Sequence, residues 1–219
     1  MAHPAMMQPP AGREIGADVY SEKLGMWIFL GSEVMFFTAL IGSYIILRFG
    51  APEEWANPGD ILAIPVTAVN TFFLICSSVT MVKAFAAASA GDQKKLKLYL
   101  VATVLIGATF VSIQGFEYTQ LLHEGFSPAG YIPGSELAEK AAAGELPQSV
   151  GIYGSTFFTM TGFHGFHVTM GVICMIFVTV KAFRGKYTAA DHRGVEVIGL
   201  YWHFVDLVWI ILFTIVYLV

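Results

Sequence analysis

Apolar residues gather along the chain into five long stretches, over 24–47, 61–82, 98–122, 150–180 and 197–219. A spanning helix needs about 20 mostly apolar residues, because each adds about 1.5 Å across a hydrocarbon core of about 30 Å. All five meet that length. The first is broken only by Glu33, and the second carries Pro65 in its first turn and Asn70 inside. The third holds Gln114 and Glu117, the fourth His164 and His167, and the fifth His203 and Asp206. The fourth is long enough to require tilt or an interfacial first turn. The pattern predicts an all-α polytopic membrane protein, a five-helix transmembrane bundle forming a single domain over 21–219.

What lies between the stretches completes the outline. Residues 1–20 are rich in Pro, Met and Ala and lack the basic, apolar and small-residue succession of a cleaved signal, so a mobile tail is expected. The one long loop, 123–149, contains three prolines around SELAEKAAAGEL, which predicts a short surface helix. Helix packing through small residues is expected at Gly31, Gly42, Gly162, Gly165, Gly171 and Gly199.

Composition strengthens the membrane reading. The chain is 56% hydrophobic and 13% charged, with a mean hydropathy of +0.65, outside the range of soluble domains. Nothing in it points to nucleic acid. Cys76 and Cys174 both fall inside apolar runs, where a thiol behaves as a small hydrophobe and supplies neither a disulfide framework nor zinc spacing. Net charge says little, but its placement says more. Ten of the twelve Lys and Arg residues sit in the tail and in the second-to-third and fourth-to-fifth loops, whereas the other loops are acidic. The bias predicts a cytoplasmic N-terminus and a periplasmic C-terminus.

The candidate chemistry lies in seven polar residues inside the spans: Glu33, Gln114, Glu117, His164, His167, His203 and Asp206. An ionisable group in hydrocarbon costs about 2.5–3.5 kcal/mol on insertion scales, so each is expected to have a partner. Counting from the ends predicted to be cytoplasmic puts Glu33 and Asp206 about 13 Å deep, His203 about 9 Å, His167 about 20 Å and His164 about 24 Å. Whether the histidines reach Glu33 or Asp206 stays open on that count. His164, His167 and Gly171 share one helix face, as do Gly199, His203, Asp206 and Ile210. Glu117 falls near the outer end of its span, where hydration is the simple expectation.

Two imidazoles with carboxylates suit zinc or non-haem iron, and a self-contained metalloenzyme on His164, His167, His203 and Asp206 is one reading. Di-iron bundles, however, pair Glu-x-x-His motifs, which none of these spans contains. Hydrogen bonding between helices is the favoured reading for the histidines. For Glu33, flanked by Phe29, Leu30, Phe36 and Phe37, functional and structural roles remain open. A transporter moving protons through Glu33 and Asp206 is a third reading, weakened by the lack of an internal repeat. Trp27, Trp55, Tyr99, Trp202 and Tyr217 are expected to be interface anchors or packing residues.

Four segments resemble a known family. LGSEVMFFTALIGSYIILR (30–48), QGFEY (114–118), YGSTFFTMTGFHGFHVTMG (153–171) and YWHFVDLVWIILFTIVYLV (201–219) are similar to motifs of subunit III of haem–copper respiratory oxidases. The likeness is collinear over four of the five spans. It implies an accessory subunit with no catalytic residue, metal or cofactor of its own, in an oxidase whose haems and copper lie in partner subunits. Subunit I is the implied direct partner, subunits II and IV further ones, bound phospholipid an implied ligand, and a bacterial inner membrane the implied location. By matching position, Glu33 is the family's buried glutamate, His164, His167, His203 and Asp206 fill its His-x-x-His and Trp-His-x-x-Asp positions, and Gln114 and Glu117 lie in its Gln-x-x-Glu-Tyr motif. Structural support, sustained proton uptake and lipid binding are the implied roles. The likeness departs from seven-helix members in helix number.

Overall fold

The computed structural model of the protein describes residues 20–218. The predicted tail therefore lies, except for Tyr20, outside the described residues. Five helices are long and apolar enough to cross a membrane: α1 (Ser21–Gly50), α3 (Ile64–Ser89), α4 (Gln93–Glu124), α6 (Gly151–Phe183) and α7 (Arg193–Phe213). Two short helices, α2 (Pro58–Ile61) and α5 (Glu136–Ala142), lie between them. The bundle is all-α apart from a two-residue hairpin, β1 (Phe126–Ser127) against β2 (Gly130–Tyr131).

The helix ends follow local chemistry. The stretch expected over 61–82 begins later, because Pro65 has no N–H to give and is accommodated only in the first turn of a helix. Residues 58–61 form α2 instead, and α3 starts with Pro65 in its first turn. α3 and α4 are antiparallel, joined through Gly91 at φ 74°, and the Asp92 side chain caps α4 by accepting from the Lys95 N–H at 3.1 Å. α4 stops at Gly125, whose φ of 103° ends the helix. α5 falls within the surface segment expected from its Ala and Glu content, with Ser135 accepting from the Ala138 N–H at 3.2 Å and a Lys140–Glu136 pair at 2.7 Å.

α3 and α7 occupy the centre, and α1 lies at the edge. Half of α7's apolar window is buried inside the chain, against 6% of α1's. Trp202 and Trp209 fill the middle, fully buried, each with its indole N–H satisfied by α3: Trp202 donates to Ser77 Oγ and Trp209 to Thr71 Oγ1, both at 2.9 Å. A Cβ on Gly107 would stand 2.8 Å from Trp202, and one on Gly171 would stand 2.9 Å from Tyr201 and 3.0 Å from Trp202. Of the glycines expected to pack, Gly165, Gly171 and Gly199 do so, and Gly162 meets only the Tyr118 hydroxyl. Gly31 and Gly42 do not, because α1 turns them away from the bundle and nothing lies within 4 Å.

The long loop closes one end of the bundle. Phe126 is fully buried against Tyr153, Phe157 and Phe158. Trp55 wedges between Tyr44 and Tyr153, and the Glu54 carboxylate accepts from the Ile152 N–H at 3.3 Å, a negative charge at the start of α6.

Candidate functional site

The seven polar residues take partners from other helices, and the partners differ. Glu33 on α1 meets His167 on α6, with Oε2 3.1 Å from Nε2. The other imidazole nitrogen, Nδ1, lies 2.7 Å from the Phe163 carbonyl oxygen. A carbonyl only accepts, so Nδ1 carries a proton. The Nε2–Glu33 contact is then left with one proton to share, as imidazolium and carboxylate or as imidazole and carboxylic acid. Both forms leave the pair neutral. The span-depth count had not resolved this contact.

His167 also fixes a third helix, because the Tyr201 hydroxyl donates to its backbone carbonyl at 2.8 Å. Tyr201 stacks on Phe29, so α1, α6 and α7 converge there. The convergence leaves a groove of about 430 Å³ on the membrane-facing side, bordered by Glu33, His167, Tyr201, Phe29 and the exposed thiol of Cys174.

His164, one turn away, has a different environment. It is wholly buried, stacks on Trp209 at 4.7 Å between ring centres, and meets the rings of Phe110 and Phe37. Neither ring nitrogen has a hydrogen-bond partner among the described residues. It is an aromatic packing element, not the interhelical hydrogen-bonding residue its sequence position suggested.

His203 and Asp206 lie one turn apart on α7. His203 Nδ1 lies 2.6 Å from the Ser78 hydroxyl on α3. Asp206 is 8% exposed, and its Oδ1 is buried with no hydrogen-bond partner among the described residues.

Gln114 and Glu117 tie α4 to its neighbours. Gln114 Nε2 donates to the Thr161 carbonyl at 2.9 Å, with its amide over Gly165. Thr161 donates its own hydroxyl to the Phe157 carbonyl, so Tyr118 donates to Thr161 at 2.6 Å. Glu117 corrects the expectation of hydration. It is 5% exposed, and its Oε1 accepts from Thr67 at 2.8 Å and Tyr217 at 3.2 Å. The reason is the end of α7, where a π-helical turn over Thr214–Leu218 swings the Tyr217 hydroxyl across the top of α4.

The metalloenzyme reading needs His164, His167, His203 and Asp206 to converge on one point. The three imidazoles go instead to an aromatic cluster, to Glu33 and to Ser78, and among the described residues no three His, Cys, Asp or Glu are placed to share an ion. The partners sequence reasoning missed are hydroxyls: Thr67, Thr71, Ser77 and Ser78 on α3, with Thr161 on α6. Their spacing along α3 places them on one face. They are easily overlooked because Ser and Thr in helices bond to their own backbone as readily as to a neighbour.

Comparison with known proteins identifies the family. The family model described as cytochrome c oxidase subunit III matches residues 16–137 and 134–219. A probable cytochrome c oxidase subunit 3 of Nocardia farcinica is 38% identical over 200 residues, covering 90% of this chain and 87% of that one. The cytochrome c oxidase subunit 3 of Thermostichus vulcanus is 33% identical, covering 89% and 86%. That of Triticum aestivum is 34% identical over 203 residues, covering 89% of this chain and 67% of the longer wheat protein. With a family model spanning nearly its whole length and these relatives above 30% identity, the chain belongs to the cytochrome c oxidase subunit III family.

Proposed function

We propose that this protein is the non-catalytic accessory subunit of a proton-pumping haem–copper terminal oxidase in a bacterial inner membrane, docked directly on subunit I, with subunits II and IV as further neighbours. The haems and copper belong to those partners. The N-terminus faces the cytoplasm, in line with nine Lys and Arg residues against four Asp and Glu at that end of the described bundle. Glu33, His164, His167, His203, Asp206, Gln114 and Glu117 hold the subunit in the shape that supports subunit I, sustained proton uptake and bound phospholipid.

The observation that carries this reading is that most of the intramembrane polar groups are consumed inside the chain. Glu33 goes to His167, Gln114 to Thr161, Glu117 to Thr67 and Tyr217, and His203 to Ser78. A self-contained enzyme keeps polar groups converging on a reaction space; this chain spends them on helix contacts. Extraction in mild detergent with a tag on this chain tests the proposal. The expected result is co-purification of haem-bearing partners, with no visible haem absorption once the chain is separated. Stoichiometric iron or zinc in the isolated chain overturns it.

A further inference from the structure

We infer that the cavity between α2 and the end of α4 is a socket for a basic side chain, arginine or lysine, presented by a neighbouring subunit. That a neighbouring subunit supplies the side chain rests on the accessory role proposed above; that the cavity takes an organic cation does not.

The cavity measures about 210 Å³ and lies at the end of the bundle that carries the long loop. Three observations combine. First, Glu117 lines it and is 5% exposed, yet both of its hydrogen bonds, from Thr67 at 2.8 Å and Tyr217 at 3.2 Å, fall on Oε1. Oε2 has no partner among the described residues. A buried carboxylate oxygen is costly to leave unpaired. Second, the remaining charge of the lining has the same sign. Asp60 and Glu124 also line the cavity, and their hydrogen bonds come from neutral amides: Asn57 Nδ2 donates to Asp60 at 3.1 Å and Gln120 Nε2 to Glu124 at 2.8 Å. No Lys, Arg or His belongs to the lining, and none of the three acids forms an ion pair among the described residues. Lys140, whose charge is felt at Glu124, is committed to Glu136 at 2.7 Å. Third, the walls beside the acids are apolar, since Ile61, Leu62 and Leu121 line the cavity and are 3–5% exposed. The space far exceeds the roughly 10–15 Å³ that seats one water, and no three carboxylates are placed to share a bare metal ion. An extended cation with an aliphatic stem answers both the charge and the walls. Arginine and lysine have that form, an apolar stem ending in several donors and no acceptor.

The test has two arms. In the first, the full chain in mild detergent is titrated calorimetrically with n-butylguanidinium and with guanidinium. The butyl compound is expected to bind about tenfold more tightly, because its stem meets the apolar walls. E117Q keeps an acceptor for Thr67 and Tyr217 while removing the charge, and is expected to weaken binding about tenfold. D60N, on an exposed residue, is expected to weaken it as well and covers the case of an unfolded E117Q. E53Q/E139Q removes two exposed acids from the same end and is expected to change nothing. Equal affinity of wild type, E117Q and D60N, equal loss in E53Q/E139Q, or equal affinity for the two compounds overturns the socket. In the second arm, benzoylphenylalanine replaces Gln120 beside the acids, and native membranes are irradiated before the cross-linked peptide is sequenced by mass spectrometry. The expected product is a segment of an oxidase subunit with arginine or lysine next to the captured position. No cross-linked peptide, or one without a basic residue, overturns the docking. A basic segment from a protein that is no oxidase subunit supports the socket and overturns the accessory role, so the two proposals fail separately.

Discussion

Substituting Gly107 by Ala tests the packing at the centre of the bundle. The new methyl would stand 2.8 Å from Cη2 and 2.9 Å from Cζ2 of Trp202, and 3.1 Å from Val172 Cγ2. The indole is rigid and has no retreat. Its N–H is tied to Ser77, and on its far side Gly171 leaves no more room than a missing Cβ. Overpacking of this kind costs about 1–3 kcal/mol. Replacing Gly by Ala inside a helix returns about 0.5–1 kcal/mol of backbone entropy, so the net loss spans about 0–2.5 kcal/mol, and the rigidity of the indole places it at or above the middle of that span. For a chain of this size, about 1.25–2.5 kcal/mol lowers the apparent midpoint of thermal unfolding in detergent by about 2.5–10 °C. Gly31→Ala, with open space around it, is the control and is expected to be neutral or slightly stabilising. Trp202→Phe, which removes the atoms nearest Gly107, is expected to be destabilising alone yet to cancel most of the Gly107→Ala loss when combined with it. A Gly107→Ala chain that melts with the wild type, or a double variant whose losses simply add, refutes the slot.

Three further outcomes follow from the polar contacts. Glu33→Ala is expected to remove about 0.6–2 kcal/mol of helix attachment, read as faster maleimide labelling of Cys174 in the adjoining groove. Glu33→Gln still offers a donor to His167 Nε2 and is expected to lose less than half as much; equal labelling rates for both variants contradict the shared-proton account. Glu117→Leu leaves Thr67 and Tyr217 without their acceptor at about 0.5–1.5 kcal/mol per hydrogen bond, so the last turn after α7 is expected to become cleavable by carboxypeptidase, and resistance equal to wild type argues against the contact. The Lys95 backbone N–H, followed by its ammonium, holds the Asp92 carboxyl below the usual carboxylate range. Its contribution is therefore complete above the ordinary value of about 4 and fades as pH drops through the lowered one. Hydrogen exchange at the Lys95 amide is expected to accelerate in acid for wild type and to respond less in Asp92→Asn, which caps without titrating; matching pH profiles exclude the assignment.

Much of this fold was legible because hydrocarbon imposes a single length rule, which Leu24 to Leu47 or Leu98 to Leu122 satisfies on inspection. Ends were less legible. The break before α3 depends on Pro65, which was visible as a first-turn residue while its effect on residues 58–63 was not. The polar residues were also visible, since charge in an apolar run has few innocent explanations, but their pairing depends on rotation and tilt that spacing does not encode. His164 and His167 illustrate the difference: three positions apart, one faces Trp209 and the other Glu33. Glu117 appeared superficial because its cover comes from Tyr217, about a hundred residues onward and on a turn of irregular geometry.

The thin attachment of α1 has a consequence for biogenesis. Its holds include Tyr20 and Lys23 to Glu196 and Glu33 to His167, so its anchors are encoded more than 130 residues downstream. At a ribosome's pace of about 5–20 residues per second, the helix made first must wait several seconds in lipid before its partners emerge. A chain truncated before α6 would leave Glu33 without His167, at the cost of about 2.5–3.5 kcal/mol that an ionisable group carries in hydrocarbon.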